Sequence, residues 1–174
     1  FDHPPMVALL IHLGHLLVPG ELGVRLLFII LSSFSFALII DELNEKNDLF
    51  FLALFVISFP LMHTHIAGFL AIPDIPLLFF TLLFLKAYRR FLKHPTWHLA
   101  AALGFLAAAM IYSKYHAFII IGLTLLSNIR LLKEKYIYGI MTLTVMLLLP
   151  HILWQINHDF PTFSYHLVER SKPF

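Results

Sequence analysis

An all-α, polytopic transmembrane helix bundle is the fold this sequence predicts, and two observations carry it. Of 174 residues, 60% are hydrophobic and only 13% are charged, with a mean hydropathy of +0.86. That leaves too little polar surface to coat a water-soluble globule, so lipid must be part of the solvent. The ionisable residues, moreover, fall between apolar runs and sort into two chemically different sets. One set is plainly basic, around Arg89-Arg90-Phe91-Leu92-Lys93 and Arg130 to Lys135. The other mixes carboxylates, imidazoles and isolated cations: Asp2-His3, Asp74, Lys114 with His116, and Asp159 through Arg170.

The elements follow in order. Residues 6–18 lie between Pro4-Pro5 and Pro19-Gly20 and contain His12 and His15. At 13 residues this run is short of the roughly 20 a crossing needs, so an in-plane or re-entrant helix on the outer face is expected. Residues 22–40 fit a span, and residues 41–48 form a charged cytoplasmic loop. Residues 49–62 are a short span whose outer end is broken by Pro60. Pro73 and Pro76 stop one segment and start the next helix over 75–91. Residues 97–112, 117–132 and 136–156 complete the set. The whole, 1–174, reads as a single transmembrane domain. Its ends, Phe1-Asp2-His3 and Lys172-Pro173-Phe174, are those expected of an internal piece of a longer membrane protein.

Residues 97–126 also fit one long helix with Lys114 at its middle. Charge parity separates the two readings. With a turn at 113–116, Lys46, Lys86, Arg89, Arg90, Lys93, Arg130, Lys133 and Lys135 all fall on one side, most of the twelve Lys and Arg residues. With a single helix the basic loops face opposite compartments, which the positive-inside rule disfavours. The turn puts Lys114 and His116 on the outer side with Asp74. A net charge of +2 is too small to suggest a nucleic-acid partner, and zero cysteines exclude disulfides and thiolate metal sites.

Asp74 reads equally as a helix N-cap and as a catalytic or binding carboxylate, and both roles are compatible. Lys114, between Tyr112 and Tyr115, either snorkels to the interface or is kept because an anion binds it. Asp2 and His3 precede two prolines that hold the backbone extended. His166 and Arg170 are four apart and share a face if helical. A carboxylate and an imidazole, Asp2 and His166, suit a divalent cation. His63 and His65 diverge on a helix, His12 and His15 read as an interfacial pair, and His94 and His98 lie on the basic side with no assigned role.

The order Phe-Asp-His-Pro-Pro, then Glu21-Leu22-Gly23-Val24-Arg25, Pro-Asp-Ile-Pro-Leu-Leu-Phe-Phe, Ser-Lys-Tyr-His and Tyr165-His166-Leu167-Val168-Glu169-Arg170 resembles the polyprenyl-phosphate-sugar-dependent C-type glycosyltransferases. That group includes the protein O-mannosyltransferases and the lipid A aminoarabinose transferases, and the resemblance covers essentially the whole chain. It implies a site at the extracytoplasmic face where a sugar, hexosyl or pentosyl, leaves a polyprenyl phosphate for a lipid, glycan or protein acceptor. Matched by motif, Lys114 resembles the family lysine that contacts the lipid phosphate, and Asp74 the acidic residue of the second outer loop. Asp2 and His166 stand where the lipid A branch holds a metal, which would be Zn, Mg or Mn. His3 replaces a lysine often found at that position. The family's leading base lies in a loop upstream of Phe1, so these residues alone are expected to be inactive.

The chemistry agrees with that implication. Cleaving the bond between the anomeric carbon and the phosphate oxygen leaves negative charge on phosphate, so a fixed cation aimed there lowers the barrier. Lys114 supplies that field, with Arg25, Arg170 or His3 as auxiliaries. Asp74 is the candidate to take the acceptor's proton. The alternative is a transporter or lipid-binding module, since intramembrane ionisable residues also mark ion paths. Against it, the charges collect at one mouth and no internal repeat is visible. Short loops and the lack of an endoplasmic-reticulum signature point to a bacterial inner membrane, with the site facing the periplasm.

Overall fold

The computed structural model describes residues 4–45 and 70–161. Among them the chain is helical throughout, apart from its turns, and has no strand. The expected span at 49–62, His63 and His65 lie outside the described residues. Two compact units result, one of Pro5–Leu83 and one built mainly of Phe84–Phe174.

In the first unit, α1 (Met6–Leu17) and α2 (Glu21–Glu45) form a helical hairpin. Leu9 N–H donates to the Pro5 carbonyl at 3.0 Å, so the helix starts where the second proline permits it. At its other end Val18 N–H returns to the Gly14 carbonyl at 3.0 Å, and Gly20 takes a φ of +91°, which a side chain would resist. Gly14 and Gly23 are both buried where the two backbones pass, and a Cβ on Gly23 would run into the carbonyls of Val18 and Gly14. The tight crossing lets Leu10, Phe28 and Ile75 close into a core, with Met6, Ile11, Leu31 and Ile72 around it.

α2 is longer than expected. Residues 41–45, assigned to a loop on charge, continue the helix. Asp-Glu-Leu-Asn-Glu contains neither Gly nor Pro to stop it, and Glu and Leu favour helix. Its 25 residues rise about 37 Å against a hydrocarbon core of about 30 Å. The charged turns therefore project past the apolar layer. Ser33 and Ser35 donate to the carbonyls of Ile29 and Leu31, each at 2.8 Å, which satisfies their hydroxyls inside an apolar helix.

α3 (Asp74–Lys93) begins on Asp74 itself, with Pro76 in its first turn, and ends in Arg90 and Lys93. In the second unit follow α4 (Trp97–Ser113), α5 (Ala117–Ser127), a short 3₁₀ turn (Ile129–Lys133) and α6 (Lys135–Asn157). The Thr96 hydroxyl caps α4, accepting from Leu99 N–H at 3.3 Å. α4 presents Ala100, Gly104, Ala107 and Ala108 as one buried, small-residue face to α6. Such a face allows close backbone approach where no water drives association. Thr144 donates across the seam to the Gly104 carbonyl at 3.1 Å.

α5 stops at Ser127, earlier than the expected end at 132. Ser127 and Thr124 turn their hydroxyls onto the carbonyls of Thr124 and Ile120, and Asn128 N–H bonds three residues back, tightening the chain into the 3₁₀ turn. α2 and α6 are long and apolar enough to cross a membrane, and only 17% and 11% of their apolar windows are buried. Their exposed surface, Met141, Val145, Leu149 and Leu153 on α6 for example, is what lipid would cover.

Candidate functional site

The turn expected at 113–116 is present. α4 ends at Ser113, whose buried hydroxyl donates to the Ala109 carbonyl at 2.7 Å. Lys114 leaves the helix with extended backbone (φ −161°, ψ 136°). Its N–H closes α4 on the Met110 carbonyl and its carbonyl opens α5 by accepting from Ala117 N–H, both at 3.0 Å. Both main-chain groups of Lys114 are thereby spent on helix ends, so its half-buried side chain carries whatever chemistry the residue performs.

The amides at the start of α5 are occupied too. Phe118 and Ile119 donate to the carbonyls of Tyr115 and His116 at 3.0 Å. An anion at this turn must therefore rely on side-chain charge more than on a helix N-terminus. A lysine suits that need.

The turn is fastened to α6 on both sides of Lys114. Upstream, the Tyr112 hydroxyl donates to the Leu147 carbonyl at 2.8 Å. Pro150 sits inside α6 and lacks the N–H that the Met146 carbonyl would otherwise accept, so this stretch of helix is short of main-chain donors. Downstream, the Tyr115 hydroxyl lies 2.8 Å from Nε2 of His151, and Gln155 Nε2 donates to that same hydroxyl at 3.2 Å. His151, Trp154 and His158 stack successively, with centroids 6.2 and 4.6 Å apart. An apolar cavity of about 250 Å³ in this unit, bordered by Phe84, Leu103, Phe118 and Leu148, lies among hydrocarbon side chains.

The basic segments gather at the other end. Trp97 and Phe91 pack on Tyr136 with centroids 4.8 and 5.8 Å apart. That brings the α3–α4 connection beside the start of α6, while Tyr115 and His151 meet at the opposite end of the α4–α6 seam. Arg89, Arg90, Lys93, Lys133 and Lys135 thus share an end that Lys114 does not.

Asp74 is exposed in the first turn of α3, where the helix dipole favours a carboxylate. Arg25 is exposed in α2. Asp2, His3, His166 and Arg170 lie outside the described residues, and with them the expected metal pair. Among the described residues no three His, Cys, Asp or Glu side chains gather as metal ligands. Sequence reasoning missed His151, Trp154 and Gln155. Their spacing at 151, 154 and 155 marks one helical face, but they sit inside a run read as apolar span.

Comparison with known proteins adds one finding. The sequence model of the family described as dolichyl-phosphate-mannose-protein mannosyltransferase matches residues 2–154. No curated protein matches the chain, and no solved structure does. The match takes in Arg25, Asp74, Lys114 and His151 and stops short of His166 and Arg170. With most of its length matched, the chain belongs to this family, and it is a membrane glycosyltransferase of that type.

Proposed function

We propose that this member of the mannosyltransferase family moves a sugar from a polyprenyl-phosphate donor to an acceptor hydroxyl at the extracytoplasmic face, with Lys114 gripping the donor phosphate. The observation that carries the reading is the turn at 113–116. A half-buried lysine stands at the junction of two apolar helices, flanked by tyrosines that bond to α6, at the end of its unit away from the clustered Arg and Lys. By the positive-inside rule that end faces away from the cytoplasm.

In the reaction the acceptor oxygen attacks the anomeric carbon. The bond from that carbon to the phosphate oxygen breaks, its electron pair stays on phosphate, and the lipid phosphate leaves. Charge grows on the phosphate as this happens, so the Lys114 ammonium stabilises the transition state more than the ground state. Asp74 takes the proton that the acceptor loses. Arg25, His3 and Arg170 are proposed as further phosphate contacts. A divalent ion held by Asp2 and His166 would add to the positive field. The family's name points to dolichyl-phosphate mannose and a protein as the first substrate pair to try.

The test is sugar transfer by membranes carrying the full-length protein. Lys114→Ala should raise the donor KM and lower kcat, and Asp74→Asn should lower kcat at little cost in donor KM. Transfer at the wild-type rate in both variants would remove these residues from the mechanism.

A further inference from the structure

The chemistry above uses Lys114 but leaves unexplained why three polar side chains, Tyr115, His151 and Gln155, meet in an otherwise apolar seam. Gln155 is 5% exposed and His151 half-buried. A phenol oxygen can both give and accept a proton. Gln155 Nε2 donates to the Tyr115 oxygen at 3.2 Å, and that oxygen lies 2.8 Å from His151 Nε2, so Tyr115 bridges two side chains of α6.

The two α6 residues stand one turn apart, at i and i+4, and both close on the residue next to Lys114. On the other flank the ring of Tyr112 lies 5.7 Å from that of His151. The single extended residue between two helices is thereby gripped from both sides by one stretch of α6, just where Pro150 shapes it. An ammonium on four methylenes gains little from a nearby phosphate unless its backbone is fixed, since positioning is much of what an active site contributes.

We propose that Tyr115 and His151 are positioning residues, which act through Lys114 by locking the backbone that aims it at the donor phosphate. The inference rests on the reading of Lys114 given above. It assigns His151 a role exerted through Lys114 and not on the reacting atoms.

The experiment is a double-mutant cycle on the full-length protein in membranes, with donor KM and kcat measured separately. Tyr115→Phe, which removes a single oxygen, and His151→Phe, which keeps a flat ring but removes the hydrogen-bonding nitrogen, should each raise donor KM about three- to tenfold with a smaller change in kcat. His151→Gln, whose amide oxygen can reach the Nε2 position, should recover most of the loss. In a Lys114→Ala background neither change should raise KM further.

Effects of equal size with and without Lys114 would mean that the pair merely holds helices together, and would overturn the proposal. So would unchanged donor KM in Tyr115→Phe. If Lys114→Ala itself leaves donor KM unchanged, the fault lies with the phosphate reading on which the inference rests, and both fall. Should His151→Phe not assemble, Tyr115→Phe decides alone.

Discussion

Replacing Gly104 by valine tests the packing that holds the turn in place. A Cβ at Gly104 would lie 3.0 Å from the Ile140 carbonyl oxygen and 3.1 Å from Cβ of Leu143. Those contacts are already tight for a methyl group, and valine adds two more carbons about 1.5 Å further out. α6 must move away by on the order of 1 Å, which overpacks the seam at a cost of about 1–3 kcal/mol. The same shift stretches the Thr144 contact with the Gly104 carbonyl, but that hydroxyl keeps the Ile140 carbonyl of its own helix at 2.8 Å, so this adds little. The expected loss is therefore about 1–3 kcal/mol. Gly122 provides the control: nothing lies within 4 Å of a Cβ there, so Gly122→Ala should be neutral or stabilise by up to about 1 kcal/mol through helix propensity. The assay is thermal unfolding of the detergent-solubilised protein, followed by the fluorescence of Trp97 and Trp154, which sit at opposite ends of the seam. A Gly104→Val protein with the wild-type midpoint and normal transfer would refute the close α4–α6 approach.

Three further outcomes are expected. Tyr112→Phe leaves the Leu147 carbonyl without its phenol and should cost about 1 kcal/mol; Tyr138→Phe, whose exposed hydroxyl is 3.5 Å from its carbonyl, should not move the thermal midpoint. Gly23→Val pushes side-chain atoms onto the Gly14 carbonyl, 2.9 Å from the first of them. The hairpin should then open, and the thermal midpoint of the detergent-solubilised protein should fall; an unchanged midpoint would contradict the close α1–α2 crossing. Finally, Asp74→Glu should keep more of the wild-type transfer rate than Asp74→Asn, as steady-state rates at saturating donor would show, because the role needs a carboxylate and not merely a polar first turn.

Much of the fold was legible because proline, glycine and charge are local signals. Pro4-Pro5 and Pro19-Gly20 bracket α1 at nearly the predicted residues, and the positive-inside rule selected the turn at Lys114 over a single long helix. The errors came where local signals mislead. The charges of 41–45 read as a loop, yet those residues are good helix formers and continue α2. Apolar composition carried α5 to 132, while Ser127 and Asn128 divert the backbone sooner. Of the proposed groups, Lys114 and Asp74 stand out in the sequence as costly charges at helix ends. His151 and Gln155 do not, because hydropathy averaged over α6 hides two polar groups, and their meaning depends on Tyr115 arriving from another helix.

Labelling of a cysteine at His116, exposed and two residues from Lys114, tests the central claim most directly. A membrane-impermeant thiol reagent should modify His116→Cys from the extracytoplasmic side, and polyprenyl phosphate should slow the reaction at least tenfold when Lys114 is present but not in a Lys114→Ala background. Modification from the cytoplasmic side alone, or equal protection without the lysine, would contradict the account.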